Sequence, residues 1–417
     1  MTGSMIAVRT AFGLLGVELL LAGCAGTPVG PSQTASPLTR GAAVPSGTSE
    51  ARTAATERMA KVALLLPLSA GGQTAAIAKG MKQAAELALF DAGTSSVQLL
   101  VKDDLGTPEG ATAAAEEAIK DGAELILGPL FAASVKAVAP VAARANVPIL
   151  AFSNDPQVAG RGIYLMSFLA SQDVARIVAY SLAQGRRNFV ALLPDDAYGR
   201  SLGETFRQAV AAGGGSIRGV ENYPQQANGM LEPARRLVDA IKASDEDGQP
   251  VDTLFLPAGP DALASLGPLV TYAGIDITRI KLIGTGAWDY PGIGREATFV
   301  GGWFPAPEPR GWQEFSERFG RTFGSAPPRI ATLSHDAMMI ALQLGAGAPG
   351  ARYTATALTR PAGFNGADGP VRLRADGLAD RSLAILEVQK LAVNLREPAP
   401  PGFTPSKVSS TGLPPVQ

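Results

Sequence analysis

Cysteine and histidine are almost absent from the 417-residue sequence, which contains one of each, Cys24 and His335. A single thiol forms no internal disulfide, so the fold must be stabilised by burial of a core. One histidine and one cysteine are too few to build a transition-metal centre, and no metal or cofactor is expected. The formal net charge is −1, without a stripe of basic and aromatic residues, so nucleic acid is not expected as a partner.

The N-terminal segment has the three features of an export signal in the order in which they are read. Arg9 is basic, residues 11–21 form a short apolar run, and Leu21-Ala22-Gly23-Cys24 resembles the lipobox of bacterial lipoproteins. We therefore expect a signal peptide over residues 1–23 and a lipid such as palmitate on Cys24. Glu18 interrupts the apolar run, and the alternative is a disordered N-terminus with a chance cysteine.

These features predict a periplasmic protein that is anchored to a membrane by lipid. In lipoproteins an aspartate after the modified cysteine indicates the inner membrane, whereas this sequence has Ala25, so the resemblance favours the outer membrane. After the signal, no uninterrupted apolar run reaches the ~20 residues that cross a bilayer as a helix.

Composition divides the remaining chain into three parts. Residues 24–58 are rich in Gly, Pro, Ser, Thr and Ala and are predicted to be a flexible tether, and residues 397–417 a disordered, Pro-rich tail. The part between them, 59–396, is longer than one core usually supports, so two lobes are expected.

Short apolar runs alternate with Ala-rich segments of helical period in the predicted folded part. Strands are predicted at 61–66, 97–102, 124–127, 147–152, 189–193, 253–256 and 281–283, and helices at 74–91, 109–120, 134–145, 173–183 and 201–212. The strands are nearly all apolar, as in a parallel sheet covered by helices on both faces. The pattern predicts a doubly wound α/β protein whose ligand site lies where the carboxyl ends of the strands open into loops.

Several motifs resemble the type I periplasmic binding proteins of the Leu/Ile/Val-binding family. The most specific is Leu125-Ile126-Leu127-Gly128-Pro129-Leu130, and other matches are at 61–69, 80–88, 195–199 and 364–371. The resemblance implies a leucine-binding-protein-like fold with two lobes, each a mostly parallel, doubly wound sheet flanked by helices, and a hinge of three crossings. It places residues 61–169 and 286–346 in lobe 1, and 170–285 and 347–396 in lobe 2.

The same resemblance implies a non-enzymatic solute receptor of an ABC transporter, with an amino-acid-like ligand held between the lobes and an ABC permease as partner. The residues that match ligand-binding loops are Ser69, Phe131, Ala133, Ser134, Ser153, Asn154, Tyr198, Ala258, Thr285 and Trp288. Tyr198 and Trp288 are the strongest candidates, since a loop aromatic offers a stacking surface and one polar tip. Each of these residues has the alternative of capping a helix or lining a wall.

A subset of the family is an alternative. The lipobox, the tether and the segment 151–155 resemble lipoproteins that activate penicillin-binding proteins and so regulate peptidoglycan synthesis. That resemblance implies a penicillin-binding protein as partner instead of a permease.

Three segments match catalytic, cofactor or metal-binding patterns, but the context of each favours another interpretation. Gly199-Arg200-Ser201-Leu202-Gly203, with His335 downstream, fits the pattern of a serine hydrolase, a remote alternative, but Ser201 is expected to cap a helix and His335 to lie within one. Residues 345–350 match a dinucleotide pattern yet follow a helix, so they are predicted to be a loop. The acidic residues 245–247 are predicted to be a solvated turn rather than a metal site.

Overall fold

The computed structural model describes residues 59–93 and 96–403. Cys24, the predicted signal peptide and the predicted tether lie outside the described residues, as do residues 404–417 of the predicted tail. Residues 397–403 are described and are not disordered as predicted, since Glu397 ends a strand and Ala399 N donates to Glu308 Oε1 at 2.9 Å. Within the described ranges, no helix combines the length and the apolar content that crossing a bilayer requires.

The first lobe begins with a five-stranded parallel sheet in the order β2-β1-β3-β4-β5. Its strands are β1 Ala60–Leu66, β2 Val97–Asp103, β3 Leu125–Leu127, β4 Ile149–Ala151 and β5 Ile163–Leu165, and its helices α1 Gly72–Ala92, α2 Pro108–Lys120 and α3 Ala132–Ala145. Alternate residues of β1 face opposite sides, so Val62 and Leu64 pack with α1 while Ala63 and Leu65 pack with α2 and α3. Both faces are apolar because helices cover both.

The second lobe has a seven-stranded sheet in the order β15-β14-β10-β9-β8-β6-β7. Its strands are β6 Asn188–Pro194, β7 Ser216–Tyr223, β8 Thr253–Phe255, β9 Lys281–Ile283, β10 Trp303–Ala306, β14 Ala384–Gln389 and β15 Ala392–Glu397, and its helices α4 Ala170–Ala183, α5 Ala197–Ala212, α6 Leu231–Glu246 and α7 Pro260–Tyr272. The sheet is parallel from β6 to β10, and the β14–β15 hairpin is antiparallel.

Between β10 and β14 the chain returns to the first lobe. This segment contains α8 Pro309–Phe323, α9 Ala331–Gly345, α10 Ala355–Leu358 and a small antiparallel sheet of β11 Phe364–Gly366, β12 Gly369–Leu373 and β13 Ala379–Arg381. Met338 of α9 joins the core around Leu64, and Phe319 of α8 packs with Leu87 of α1. The chain therefore crosses between the lobes three times, after β5, after β10 and after β13, which confirms the predicted fold.

The seven predicted strands and five predicted helices are all present, with ends that shift by at most four residues. The lobe boundaries differ from the prediction. Trp288 and Phe304 pack in the second-lobe core, and Phe364 packs in the first, although they fall within the predicted 286–346 part of lobe 1 and the predicted 347–396 part of lobe 2. Strand and helix alternate in the same way in both lobes, so the local pattern does not reveal which core an element joins.

Ser201 does not cap a helix, contrary to the prediction. Helix α5 begins at Ala197, and the capping side chain is Asp196, which accepts a hydrogen bond from Gly199 N at 2.8 Å. Ser201 thus lies in the second turn of the helix, away from the strand end where a nucleophile elbow would place it.

Candidate functional site

The two lobes enclose a cavity of about 240 Å³ beside the three crossings, which we call the cleft cavity. It is lined by Asn154, Phe168, Ala170, Asp173, Tyr198, Thr285, Gly286, Ala287, Asp289, Pro305, Ala306, Pro307, Arg329 and Leu383. Asn154 follows β4 of the first lobe and Thr285 follows β9 of the second. Loops at the carboxyl ends of strands from both sheets therefore meet at this cavity, as expected for doubly wound sheets.

Tyr198 and Thr285 are neighbours on the second-lobe side. Tyr198 lies in the first turn of α5, which Asp196 caps, and is 43% exposed. Burial raises the pKa of Tyr198 above its ordinary value, and a hydrogen bond with Thr285 opposes the shift. The phenol is therefore neutral near pH 7 and can donate a hydrogen bond to a ligand.

Asp173 is a buried acid on the same side of the cavity. It lies in the first turn of α4, and its Oδ2 accepts a hydrogen bond from Gly286 N at 2.9 Å. Burial raises the pKa of Asp173 to about 7, an effect that this hydrogen bond only partly offsets. A carboxyl with this pKa is poised to ionise when a cationic group binds beside it.

An ion pair joins the lobes at the edge of the cavity. Arg329, just before α9 of the first lobe, places Nε 3.6 Å from Oδ2 of Asp289 in the second lobe. Its guanidinium also pairs with the buried Asp368 at 2.9 Å and lies 5.1 Å from the ring centroid of Phe168. Burial raises the pKa of Asp289, and the positive charge of Arg329 opposes that shift.

Three of the predicted site residues, Asn154, Tyr198 and Thr285, line the cleft cavity together. Ala258 lines an adjacent second-lobe cavity of about 290 Å³, which Tyr198 also borders. Their role in binding stays a prediction.

The other first-lobe candidates lie outside the cleft cavity. Ser69 is exposed, and its backbone N–H and hydroxyl both donate to Asp103. Phe131 and Ala133 are exposed at the start of α3. Ser153 is buried and its Oγ accepts a hydrogen bond from Asp155 N at 3.2 Å, a local contact within the loop after β4. Ser134 is fully buried in α3, and among the described residues its hydroxyl has no hydrogen-bond partner.

Trp288 is a core residue, and its predicted role as a ligand-stacking aromatic is wrong. Its side chain is fully buried, its Nε1 donates to Leu256 O at 3.0 Å, and its ring packs edge-on against Phe299 at 5.2 Å between centroids. A Cβ at Gly284 would lie 2.2 Å from the indole, so only glycine leaves room for this ring. The short 3-10 turn after β9 directs the aromatic into the second lobe instead of the cavity.

Among the cavity residues that the sequence reasoning missed, four offer a charge or an aromatic ring: Phe168, Asp173, Asp289 and Arg329. Of these four, only Asp173 could have been identified from the sequence, since it is an acid on the helix face that buries Val174 and Ile177. The others approach the cavity through contacts between distant segments, which no local pattern reveals.

The hydrolase motif is not assembled. Ser201 lies on α5 of the second lobe, whereas His335 lies on α9 of the first. His335 places Nδ1 3.2 Å from Oδ1 of Asp336 and packs edge-on against Phe315 at 5.2 Å between centroids. The histidine is part of first-lobe packing.

The predicted acidic turn has a structural partner. Asp245, at the end of α6, forms a paired contact with Arg279, with the closer distance 2.7 Å. Across the described ranges, no three His, Cys, Asp or Glu side chains are grouped in a way that could hold a metal ion. Residues 346–350 follow the end of α9 as a loop, as predicted.

Comparisons with known proteins point to one family. A family model described as periplasmic binding protein matches residues 60–392. Among curated proteins, the chain is 24% identical over 217 residues to Leu/Ile/Val-binding protein homolog 6 of Brucella melitensis, a match that covers 50% of this chain and 54% of that protein. The chain spans between 54% and 59% of the length of the curated relatives that it matches.

Solved structures share the fold. A branched-chain amino acid ABC transporter periplasmic ligand-binding protein from Burkholderia xenovorans aligns with a TM-score of 0.65 at 19% identity, over 81% of this chain and 94% of that one. An ABC transporter substrate-binding protein from Desulfitobacterium hafniense, in complex with Leu, aligns with a TM-score of 0.58 at 21% identity, over 81% and 99%. At these identities the likeness shows the fold alone.

Proposed function

Because the chain belongs to the periplasmic binding proteins of the Leu/Ile/Val-binding type, we propose that it is a non-enzymatic solute receptor of an ABC transporter. The ligand is a small amino-acid-like molecule held in the cleft cavity. The observation that carries this proposal is a cavity with polar side chains from both lobes, beside three crossings that can act as a hinge. A ligand that contacts both lobes favours the state in which they are closed.

The size and chemistry of the cavity support an amino-acid-like ligand. Its volume of about 240 Å³ lies just below the ~300–1,000 Å³ typical of pockets for drug-sized molecules. Asp173 offers an acceptor for an ammonium group, while Tyr198 and the amide of Asn154 offer donors for a carboxylate. The acid and the neutral donors together match the two charged groups of a zwitterion.

The proposal extends to location. The lipobox before Cys24, together with membership of a periplasmic family, supports export, cleavage before Cys24 and a lipid anchor at that residue, with the outer membrane favoured. Labelling cells with a palmitate analogue tests this. The full chain should incorporate the label, and Cys24→Ala should abolish incorporation, whereas equal labelling of the variant would refute the anchor.

Binding is tested by calorimetry and thermal unfolding with L-leucine and other L-amino acids. At least one amino acid should bind and raise the melting temperature. Asp173→Asn and Tyr198→Phe should weaken binding by about tenfold or more, the typical loss when one hydrogen bond to a charged group is removed. The matched controls are Asp239→Asn and Tyr272→Phe, which lie on exposed faces of the same lobe and should bind as the wild type.

Two outcomes would contradict the receptor proposal. In one, no amino acid shifts the melting temperature; co-purification with a penicillin-binding protein would then favour the activator alternative. In the other, an amino acid binds but the two cavity variants bind it as tightly as the controls, which would place the site elsewhere.

A further inference from the structure

A second cavity, of about 350 Å³, lies between the lobes on the other side of the Arg329–Asp289 pair. We call it the hinge pocket, because Pro307 and Pro309 of the second crossing form part of its wall. Trp312 of α8 contributes from the first lobe. Tyr290, Ile293 and the β14–β15 turn contribute from the second.

The walls of the hinge pocket are mostly apolar. Trp312 and Tyr290 are half-buried, so each presents part of an aromatic ring to the space, and Ile293 and Val393 add aliphatic surface. Leu391 stands at the turn between β14 and β15 and is 70% exposed. Such a lining suits a ligand with an aromatic or branched apolar body.

Asp289 is the acidic side chain among the residues that line the pocket, and Arg329 is the basic one. Arg329 is shared between Asp289 and the buried Asp368, and its guanidinium lies 4.8 Å from the ring centroid of Trp312. The Arg329 contact to Asp368 is close, at 2.9 Å, whereas the contact to Asp289 is 3.6 Å, longer than a hydrogen bond. The carboxylate of Asp289 therefore retains acceptor capacity on the side of the pocket.

We propose that the hinge pocket is a second ligand site, which binds an apolar primary amine. The ammonium group lies on Asp289, and the apolar body packs against Trp312, Tyr290 and Ile293. This ligand has no α-carboxylate, so it differs in class from the amino-acid-like ligand proposed for the cleft cavity. Since Asp289 and Arg329 border both spaces, occupancy of one changes the affinity of the other by the same factor in both directions.

The probe is 2-phenylethylamine, with 2-phenylethanol and 3-phenylpropanoate as neutral and anionic controls. Binding is followed by calorimetry and by tryptophan fluorescence, because Trp288 and Trp303 are buried and Trp312 is the half-buried indole. The amine should bind and perturb the emission, and the two controls should not. Asp289→Asn should weaken amine binding about 10- to 100-fold, the effect of losing a hydrogen bond to a charged group.

Charge changes at the exposed turn give a test that does not depend on the core. Leu391→Lys should weaken amine binding and Leu391→Glu should strengthen it, each by a few-fold, since both place a charge at the mouth of the pocket. Trp312→Ala should remove both the fluorescence change and most of the affinity. Tyr198→Phe, a change in the cleft cavity, should leave amine binding as in the wild type.

Three results would overturn the proposal: no amine binding at millimolar concentration, an affinity unaffected by Asp289→Asn and by the sign of charge at 391, or a loss caused by Tyr198→Phe but not by Trp312→Ala. The last would place the amine in the cleft cavity. Titration of the Trp312→Ala variant with L-leucine separates the two proposals. The variant should bind leucine as the wild type does, even where it no longer binds the amine.

Discussion

Replacing Asp173 by asparagine should remove one specific part of the pH dependence of stability. Burial raises the pKa of Asp173 to about 7 in the folded chain, against an ordinary value of 3.8. The folded state therefore holds a proton that the unfolded state releases between these two pH values. The free energy of unfolding therefore falls as the pH rises from about 4 to about 7, and the loss is complete above that range.

The magnitude follows from the size of the shift. A difference of about three pKa units corresponds to about 4 kcal/mol, of which about 3 kcal/mol accrues between pH 5 and pH 8. In Asp173→Asn the side-chain oxygen can still accept the hydrogen bond from Gly286 N, so the substitution removes the ionisation and keeps the contact.

The assay is urea unfolding of the wild type and Asp173→Asn at intervals from pH 5 to pH 8, with Asp239→Asn as control. Other titrating groups are common to all three chains and cancel in the differences. The free energy of unfolding of Asp173→Asn, minus that of the wild type, should grow by about 3 kcal/mol over this range. A difference that stays flat over this range would refute the interpretation of Asp173 as a buried acid.

Three further substitutions and one titration test other parts of the structure. Trp288→Ala should lower the free energy of unfolding by about 3–5 kcal/mol in urea, because the indole is fully buried, whereas Tyr272→Ala on the surface should change it by less than about 0.5 kcal/mol. Equal small effects would contradict the position of Trp288 in the core. Gly284→Ala should also destabilise the chain in the same assay, since its Cβ would lie 2.2 Å from that indole; an unchanged midpoint would contradict the packing. Arg329→Gln should destabilise by about 3–5 kcal/mol because it leaves the buried Asp368 unpaired, while Arg310→Gln on the surface should have little effect. Amino-acid binding at pH 6.5 should release protons from Asp173, measured by calorimetry in buffers of different ionisation enthalpy, and Asp173→Asn should abolish this release.

The strands and helices could be predicted because apolar periodicity is a local property. The Thr107 side chain caps α2 at Gly110 N with Pro108 at the first helical position, as its sequence indicates. Helix α5 begins four residues before its predicted start because Asp196 caps the helix rather than Ser201.

The site was only partly predictable for a different reason. Asn154, Tyr198 and Thr285 follow strand ends, so the fold class alone brings them near the cavity. Arg329 and Asp289 meet only because the second crossing returns the chain to the first lobe, and that crossing was misplaced. Trp288 sits in a loop by sequence, yet the space left by Gly284 lets its ring enter the core.

Closure of the lobes around a ligand shortens the distance between them. This distance is measured by pulsed electron paramagnetic resonance between two spin labels. The labels are attached at Lys136→Cys on α3 and Lys242→Cys on α6, in a Cys24→Ala background. Addition of the amino acid that binds best should shorten and narrow the distance distribution, and Asp173→Asn should require a higher ligand concentration for the same change. A distribution unchanged at saturating ligand would contradict a receptor that closes on its solute.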